Sequence, residues 1–174
     1  MKTYYAILDT NVLVSAMLKK GSVPYEVLAE ALEGDIIPVL NDKIIVEYAE
    51  VLNRSKFKFS REAVDVLLEE LKSRGIYYSQ EELIDDFIPD PKDVVFYAVL
   101  MEARKNKDAY LVTGNLKHFP VRTYIVTPRE MLDIVRGCVG IIDWDEFTSS
   151  DEEDIRDGMS PEDYVRSLRD FDRE

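Results

Sequence analysis

Cysteine, histidine and long apolar runs are scarce in this chain of 174 residues, and each scarcity excludes a class of protein. The single cysteine, Cys138, rules out an internal disulfide and argues against a zinc site built from thiolates. No apolar run approaches the roughly 20 residues that a membrane-spanning helix needs. The first residues, MKTYYAILDT, have too short an apolar part for a secretory signal. We therefore expect a cytoplasmic protein without a membrane span.

Basic residues are also fewer than acidic ones, with 22 Lys or Arg against 35 Asp or Glu. The net charge is −13, which taken alone argues against binding to nucleic acid. The acids are unevenly placed, however, because residues 143–174 contain 13 Asp or Glu and 4 Arg, a net charge of −9. The residues before them carry a net charge of only −4. The body of the chain is therefore mildly acidic, and the excess lies at one end.

Strand-like and helix-like patterns alternate along the chain. Short apolar runs predict strands at 4–8, 35–40, 109–113 and 123–126. Apolar residues at helical spacing, together with capping residues, predict helices at 11–20, 23–33, 41–54, 60–75, 93–107 and 127–137. This alternation predicts an α/β layer fold with a mostly parallel sheet. Ligands of such folds bind outside the carboxyl ends of the strands, and Asp9 follows the first predicted strand.

Three acidic residues interrupt apolar segments or lie at their ends: Asp9, Glu47 and Asp93. Taken singly, Asp9 and Asp93 would be helix caps, and Glu47 would be a solvated helix residue. Brought to one rim of a sheet, the three carboxylates would repel one another unless a cation lay between them. Oxygen ligands without cysteine or clustered histidine favour Mg²⁺ or Mn²⁺. Such an ion would in turn bind and polarise a phosphate.

The loop after the strand at 109–113 has two further polar residues. Asn115 is a fourth candidate for the site, and its alternative is a turn residue beside Gly114. His118, the only histidine, is interpreted as a surface residue of the same loop.

Several segments resemble PIN-domain proteins when they are taken together in this order. ILDTNVLVSAML resembles the first PIN motif, IIVEYAEVLNRSKF the segment with the acidic helix and basic turn, and IPDPKDVVFYAVLMEA the third motif. AYLVTGNLKHFP and TYIVTPREML resemble the closing motifs, so that the resemblance covers residues 4–135. Within the family the chain is similar to toxin components of toxin–antitoxin pairs, which are relatives of the VapC-type ribonucleases.

The resemblance implies a three-layer Rossmann-like fold whose central sheet has the strand order 3-2-1-4-5. It also implies metal-dependent hydrolysis of single-stranded RNA, with Asp9, Glu47 and Asp93 as catalytic residues and as ligands of Mg²⁺ or Mn²⁺. The supporting polar residues would be Asn11, Thr113 and Asn115. The family often has Asp at the position of Asn115, so this chain has one negative charge fewer in the implied site. The implied partners are RNA, an antitoxin protein and a second copy of the chain.

A basic segment, NRSKFKFSR at 53–61, is the candidate surface for RNA. Basic side chains with interleaved aromatic rings are typical of single-strand binding. The favoured interpretation of Phe57 and Phe59 is nevertheless packing in the core. The predicted RNA-binding residues are Arg54, Lys56, Lys58, Arg61 and Lys117.

The chain is divided by these patterns into a PIN domain at 1–137 and an acidic C-terminal extension at 138–174. A short helix is predicted in the extension from Ser160. The extension is interpreted either as a solubilising end or as a self-inhibitory segment that occupies the basic surface in place of RNA.

Two other functions stay open. A PIN-like binding or interaction module with little catalysis is favoured by Asn115 and by the acidic charge balance. A receiver-like or haloacid-dehalogenase-like phosphoryl-transfer domain also places an Asp after its first strand. It ranks last, because the DTN segment lacks the second acid that such phosphatases have two residues later.

Overall fold

Parallel strands form the centre of the computed structural model, which describes residues 2–79 and 87–137. The strands are β1 (Tyr4–Leu8), β2 (Ile36–Leu40), β3 (Ile76–Tyr77), β4 (Ala109–Val112) and β5 (Ile125–Val126). They form one five-stranded sheet in the order β3-β2-β1-β4-β5. Every described strand pair is parallel. The predicted α/β class and strand order are therefore confirmed.

Helices connect the strands and flank the sheet. They are α1 (Thr10–Leu18), α2 (Val23–Glu33), α3 (Asp42–Leu52), α4 (Arg61–Arg74), α5 (Pro91–Arg104) and α6 (Pro128–Arg136). Two short 3-10 helices lie at Ser55–Phe57 and Leu116–His118. α1 packs against α2, α2 against α6, and α3 against both α4 and α5.

Side-chain caps begin most of these helices at the positions that the sequence indicates. The side chains of Ser22, Asn41 and Ser60 accept hydrogen bonds from N–H groups in the first turns of α2, α3 and α4. Thr127 and Glu130 form a reciprocal capping box at the start of α6. Local sequence therefore fixes where these helices start.

The prediction was wrong at the start of α5. The helix begins at Pro91 rather than at residue 93, and Asp90 is its cap, since the Asp90 carboxylate accepts a hydrogen bond of 2.9 Å from the Lys92 N–H. Proline favours the first helical position because its φ is already helical and the N–H that it lacks would have no partner there. Asp93 consequently lies inside the first turn of α5 and not in front of it.

The edge strand β3 was not predicted from the sequence, because two residues are too few to form a recognisable pattern. It pairs with β2 through Val39 and Ile76. Gly75 permits this approach, since a Cβ at that position would lie 2.4 Å from the Leu40 Cδ1 atom. A larger residue would have to displace the Leu40 side chain or the strand itself.

The register of the sheet brings the carboxyl ends of three strands level. Leu8 pairs with Val112, and Val112 pairs with Val126. The residues that follow these positions, Asp9 and Thr113 among them, therefore emerge at one edge of the sheet. All three strand ends are buried, so the side chains that follow are held on a rigid apolar base.

The predicted extension at 138–174 and its short helix lie outside the described residues. The boundary between a PIN domain and an extension stays a prediction for this reason. Within residues 2–79 and 87–137, no helix combines the length and the apolar character required to cross a bilayer.

Candidate active site

Asp9 lies at the carboxyl edge of the sheet and is 1% exposed. Its backbone N–H donates to the Val112 carbonyl (2.9 Å), which continues the ladder between β1 and β4 past the end of the strand. Asp9 occupies the N-cap position of α1, as the cap interpretation expects, but its side chain forms no capping hydrogen bond with the first turn of this helix. The Oδ2 atom instead accepts a hydrogen bond of 2.7 Å from the Thr113 hydroxyl. Thr113, which follows β4, therefore orients the carboxylate of Asp9, which follows β1.

Glu47 is brought to the same edge by α3. Its Oε1 atom accepts a hydrogen bond of 2.8 Å from the Thr10 hydroxyl, and Thr10 directly follows Asp9. The side chain is half-buried, which corrects the interpretation of Glu47 as a solvated helix residue. Thr10 was not singled out from the sequence, although it lies inside the DTN segment that attracted attention to Asp9.

The buried Tyr48 reinforces this attachment of α3 to β1. Its hydroxyl donates to the carbonyl of Leu8, the last residue of β1. Burial raises the pKa of the Tyr48 phenol well above its usual range, and the negative charges of Asp9 and Glu47 raise this pKa further. The hydrogen bonds of Tyr48 with Leu8 and of Glu47 with Thr10 therefore attach α3 to the end of β1, on either side of Asp9.

Asp93 reaches the site from the first turn of α5 and is 2% exposed. Its Oδ2 atom lies 2.9 Å from the Nδ1 atom of His118. Because Asp90 caps the helix, Asp93 is not needed as a cap, and that alternative was wrong. A carboxylate this deeply buried is costly unless hydrogen bonds or a cation compensate for the lost hydration.

The loop after β4 joins the two buried aspartates. The Asn115 N–H donates to the Thr113 hydroxyl (3.0 Å), whose own proton goes to Asp9. The Asn115 Nδ2 atom lies 3.1 Å from the Nε2 atom of His118, and the other ring nitrogen of His118 contacts Asp93. Contacts of Thr113, Asn115 and His118 therefore link Asp9 to Asp93 through this loop.

The interpretation of His118 as a surface residue was accordingly wrong. Its side chain is 31% exposed, and both ring nitrogens have partners in the site. The signal in the sequence was its position, since it follows Asn115 in a loop that starts at the carboxyl edge of the sheet. Pattern alone could not show that the short 3-10 helix at Leu116–His118 turns the ring inward.

The donor chemistry of this region fits a hard divalent cation. Asp9, Glu47 and Asp93 supply carboxylate oxygens, and the buried Oδ1 atom of Asn11 has no hydrogen-bond partner among the described residues. In the same residues no three His, Cys, Asp or Glu side chains are grouped closely enough to hold a metal by themselves. Mg²⁺ does not require such a group, because one or two carboxylates usually bind it together with water and substrate phosphate. The arrangement is therefore suited to an open site rather than to a closed protein cage.

A cleft of about 240 Å³ opens beside Glu47, between α3 and α5. Three basic residues line it, together with Glu50 and an apolar floor that includes Phe96. The three basic residues are Lys43, Arg54 and Lys92. Of the predicted RNA-binding residues, Arg54 is thus the one that lines this cleft as the structure describes it. Lys43 and Lys92 were missed, since they lie in the first turns of two separate helices and form no basic run.

The other predicted RNA-binding residues are exposed on the surface. They are Lys56, Lys58, Arg61 and Lys117. The rings of Phe57 and Phe59 stack on each other with centroids 5.5 Å apart, and both pack against the core. The core interpretation of these two rings is therefore the better one, and the segment at 53–61 presents its charges rather than its aromatic faces.

Comparison with known proteins identifies the family. A family model described as PIN domain matches residues 5–117, a range that contains Asp9, Glu47 and Asp93 and ends one residue before His118. Neither the curated proteins nor the solved structures gave a match. PIN domains are generally metal-dependent nucleases, and the strand order of the sheet agrees with this fold. Because the match covers more than half of the sequence, the chain belongs to the PIN domain family.

Proposed function

We propose that this protein is a metal-dependent endoribonuclease that hydrolyses phosphodiester bonds in single-stranded RNA. The observation that carries the proposal is the pair of buried carboxylates, Asp9 and Asp93, which both contact the loop after β4 at the carboxyl edge of the sheet. Burial of two acids in one region destabilises a fold unless a ligand compensates for it. A divalent cation with a bound phosphate is the ligand that fits these oxygen donors.

Each side chain has a separate task in this proposal. Asp9, Glu47 and Asp93 would hold Mg²⁺ or Mn²⁺, and when bound, such an ion polarises the phosphoryl group and acidifies its water. Asn11 and Asn115 would be supporting polar residues. The hydroxyl of Thr113 donates to Asp9, which keeps the carboxylate in one orientation before substrate arrives.

The cleft between α3 and α5 is the proposed path of the RNA strand. Lys43, Arg54 and Lys92 line it and would contact phosphates on the approach to Glu47. The exposed basic residues would extend the contacts on either side of the cleft; these are Lys56, Lys58, Arg61 and Lys117.

The biological role follows from the resemblance to toxin components. The protein would act in the cytoplasm as the toxin of a toxin–antitoxin pair, would be inhibited by an antitoxin protein, and would form homodimers. Expression of the wild-type chain should then arrest growth, and expression of the Asp93→Asn variant should not. Growth arrest by both variants would contradict a toxin role that depends on the carboxylate site.

A second function is a PIN-like module that binds nucleic acid or protein with little catalysis. Two observations favour it. Asn115 occupies a position where the family often has a fourth acid, and the described residues contain no compact group of three potential metal ligands. Such a protein would bind RNA without cutting it.

The test is cleavage of a labelled pool of single-stranded RNA with Mn²⁺, with Mg²⁺ and with EDTA. Wild type should cut only with metal, and Asp93→Asn should lose at least about 100-fold in rate, because metal ions contribute several kcal/mol to such reactions. Asp90→Asn is the matched control. It makes the same change three residues earlier, and Asn caps a helix as well as Asp does.

An equal loss of cleavage rate in Asp93→Asn and Asp90→Asn would mean that both substitutions disturb the start of α5. The loss would then not be specific to Asp93. Cleavage that persists in EDTA would contradict the metal-dependent mechanism. Intact RNA binding without cleavage under any condition would favour the binding module.

A further inference from the structure

The side chain of His118 lies between two residues of the carboxylate site and contacts both. Its Nδ1 atom is 2.9 Å from the Asp93 Oδ2 atom, and its Nε2 atom is 3.1 Å from the Asn115 Nδ2 atom. The Asp93 side chain is 3% exposed, and that of His118 is 31% exposed. This is the only histidine of the chain, and neither the sequence motifs nor the proposed chemistry has yet given it a role.

The contact with Asp93 determines one ring proton of His118. A carboxylate can only accept, so the contact of 2.9 Å between Asp93 Oδ2 and Nδ1 requires a proton on Nδ1. The Asn115 Nδ2 atom lies 3.1 Å from Nε2 and 3.5 Å from Nδ1, so the amide lies against the side of the ring. The ring therefore donates towards Asp93, and Asn115 packs beside it.

The backbone of the same loop also reaches the other buried aspartate. The Asn115 N–H holds the Thr113 hydroxyl, and this hydroxyl donates to Asp9. One short loop after β4 therefore orients Asp9 through Thr113 and Asp93 through His118. A displacement of the loop would disturb both carboxylates together.

We propose that His118 is a positioning residue that holds the Asp93 carboxylate in the orientation needed to ligate the metal. The inference rests on the proposed function, since it assumes that Asp93 is a ligand. Asn115 supports His118, because its amide lies against the ring that donates to Asp93. Groups that hydrogen-bond to metal ligands typically change metal affinity about 10- to 100-fold when they are replaced.

Three substitutions separate the two ring nitrogens. In His118→Asn the amide nitrogen is attached to Cγ, as Nδ1 is, so the donor to Asp93 is retained. In His118→Gln the amide lies one bond further out, at the level of Nε2, so the contact with Asn115 is favoured and the donor to Asp93 is lost. His118→Phe keeps a ring that packs similarly but has neither nitrogen.

Two measurements test the proposal. The first is a nitrogen-15 NMR spectrum of the single imidazole in the full-length wild-type protein in EDTA, which reports the tautomer without any metal. The second is the Mn²⁺ dissociation constant by calorimetry for wild type and the three variants. We expect the Nδ1–H tautomer, near wild-type affinity for His118→Asn, and affinity weakened about 10-fold or more for His118→Gln and His118→Phe.

The results also distinguish this inference from the proposed function. An Nε2–H tautomer, or equal Mn²⁺ affinity in wild type and all three variants, would overturn the role of His118 while the nuclease proposal stands. Equal weakening in His118→Asn and His118→Phe would overturn it too, because packing and not the donor would then matter. A wild-type protein that binds no Mn²⁺ would overturn the proposed function itself, and the inference with it.

Discussion

The two edges of the sheet use charged side chains in opposite ways. At the carboxyl edge, Asp9 is buried and accepts a hydrogen bond from the neutral Thr113 hydroxyl. At the amino edge, cationic side chains lie over tyrosine rings. The guanidinium carbon of Arg104 is 3.9 Å from the ring centroid of Tyr124, where β5 begins.

This difference separates the part of the molecule that stabilises the fold from the part that is available for chemistry. A cation over an aromatic ring contributes about 0.5–1 kcal/mol at an exposed position. A buried carboxylate opposes folding, and proteins commonly accept such a cost at functional sites. Equivalent substitutions at the two edges should therefore have different consequences.

The largest difference is expected between Asp9→Asn and Asp108→Asn. Asp9→Asn should reduce metal-dependent cleavage of RNA at least about 100-fold, because it removes a charged ligand, while the Thr113 hydroxyl can still donate to the amide oxygen. Its thermal midpoint should not fall, since a buried charge is removed. Asp108, 65% exposed beside Arg104, is the control and should tolerate the change in both assays.

Cleavage by Asp9→Asn at the wild-type rate would remove Asp9 from the site. A large loss of stability in Asp9→Asn would contradict the view that its charge opposes folding. Either result would end the functional contrast between the two edges.

A smaller effect, on stability, is expected when the two tyrosines Tyr48 and Tyr124 are compared. Tyr48→Phe removes the hydroxyl that donates to the buried Leu8 carbonyl, which should cost about 1–3 kcal/mol of unfolding free energy. In Tyr124→Phe the ring that contacts Arg104 is retained, and the lost hydroxyl only approaches the Met101 sulfur at 3.8 Å. We expect a change below about 0.5 kcal/mol there, as for most substitutions without a specific buried contact. Urea unfolding of both variants measures the difference.

The pH dependence of Tyr48→Phe sharpens this comparison. Burial and the charges of Asp9 and Glu47 raise the pKa of folded Tyr48 well above 10.0, while the unfolded phenol titrates near its usual value. Above about pH 10 the unfolded state therefore binds fewer protons, so wild-type stability falls by up to about 1.4 kcal/mol per pH unit from this group. Phenylalanine does not ionise. The difference in unfolding free energy between wild type and Tyr48→Phe should therefore shrink as the pH rises past the pKa of the unfolded tyrosine. A constant difference between the two proteins would mean that the pKa of folded Tyr48 is not raised above that of the unfolded phenol.

Part of this site could be predicted from the sequence for a simple physical reason. Asp9 follows a buried strand and Asp93 lies at the start of an apolar helix, so the fold itself carries both to one edge. The distinction between Asp90 as cap and Asp93 as buried acid depended on Pro91 at the first helical position. Whether Asp90 or Asp93 caps the helix depends only on neighbouring residues, so the sequence was sufficient to predict it.

Other parts depend on contacts between distant segments. The Thr10 hydroxyl meets Glu47 across 37 residues, and His118 meets Asp93 across 25, so neither pair has a periodic signal. β3 is two residues long and exists because Gly75 lets the chain approach Leu40. Lys43 and Lys92 meet in one cleft only after α3 and α5 have packed together.

The smallest expected effect concerns the two ends of α5. Lys92 lines the cleft in the first turn of this helix, and Lys105 follows its last turn, where it pairs with Glu102 at 2.7 Å. In an Asp93→Asn background that does not cut, Lys92→Gln should weaken the binding of single-stranded RNA about two- to fivefold, as expected of an exposed charge contact worth about 0.5–1 kcal/mol. The slope of log affinity against log salt should fall by about 0.7 if one phosphate contact is lost.

Lys105→Gln makes the same change in net charge at the opposite end of the helix and should leave both the affinity and the slope unchanged. Filter binding at several salt concentrations measures both quantities. If the two variants weaken binding equally, the RNA senses only the overall charge of the protein, and the cleft is not its path. If Lys92→Gln alone lowers the slope, the strand passes the carboxyl edge beside Glu47, where the buried acids lie.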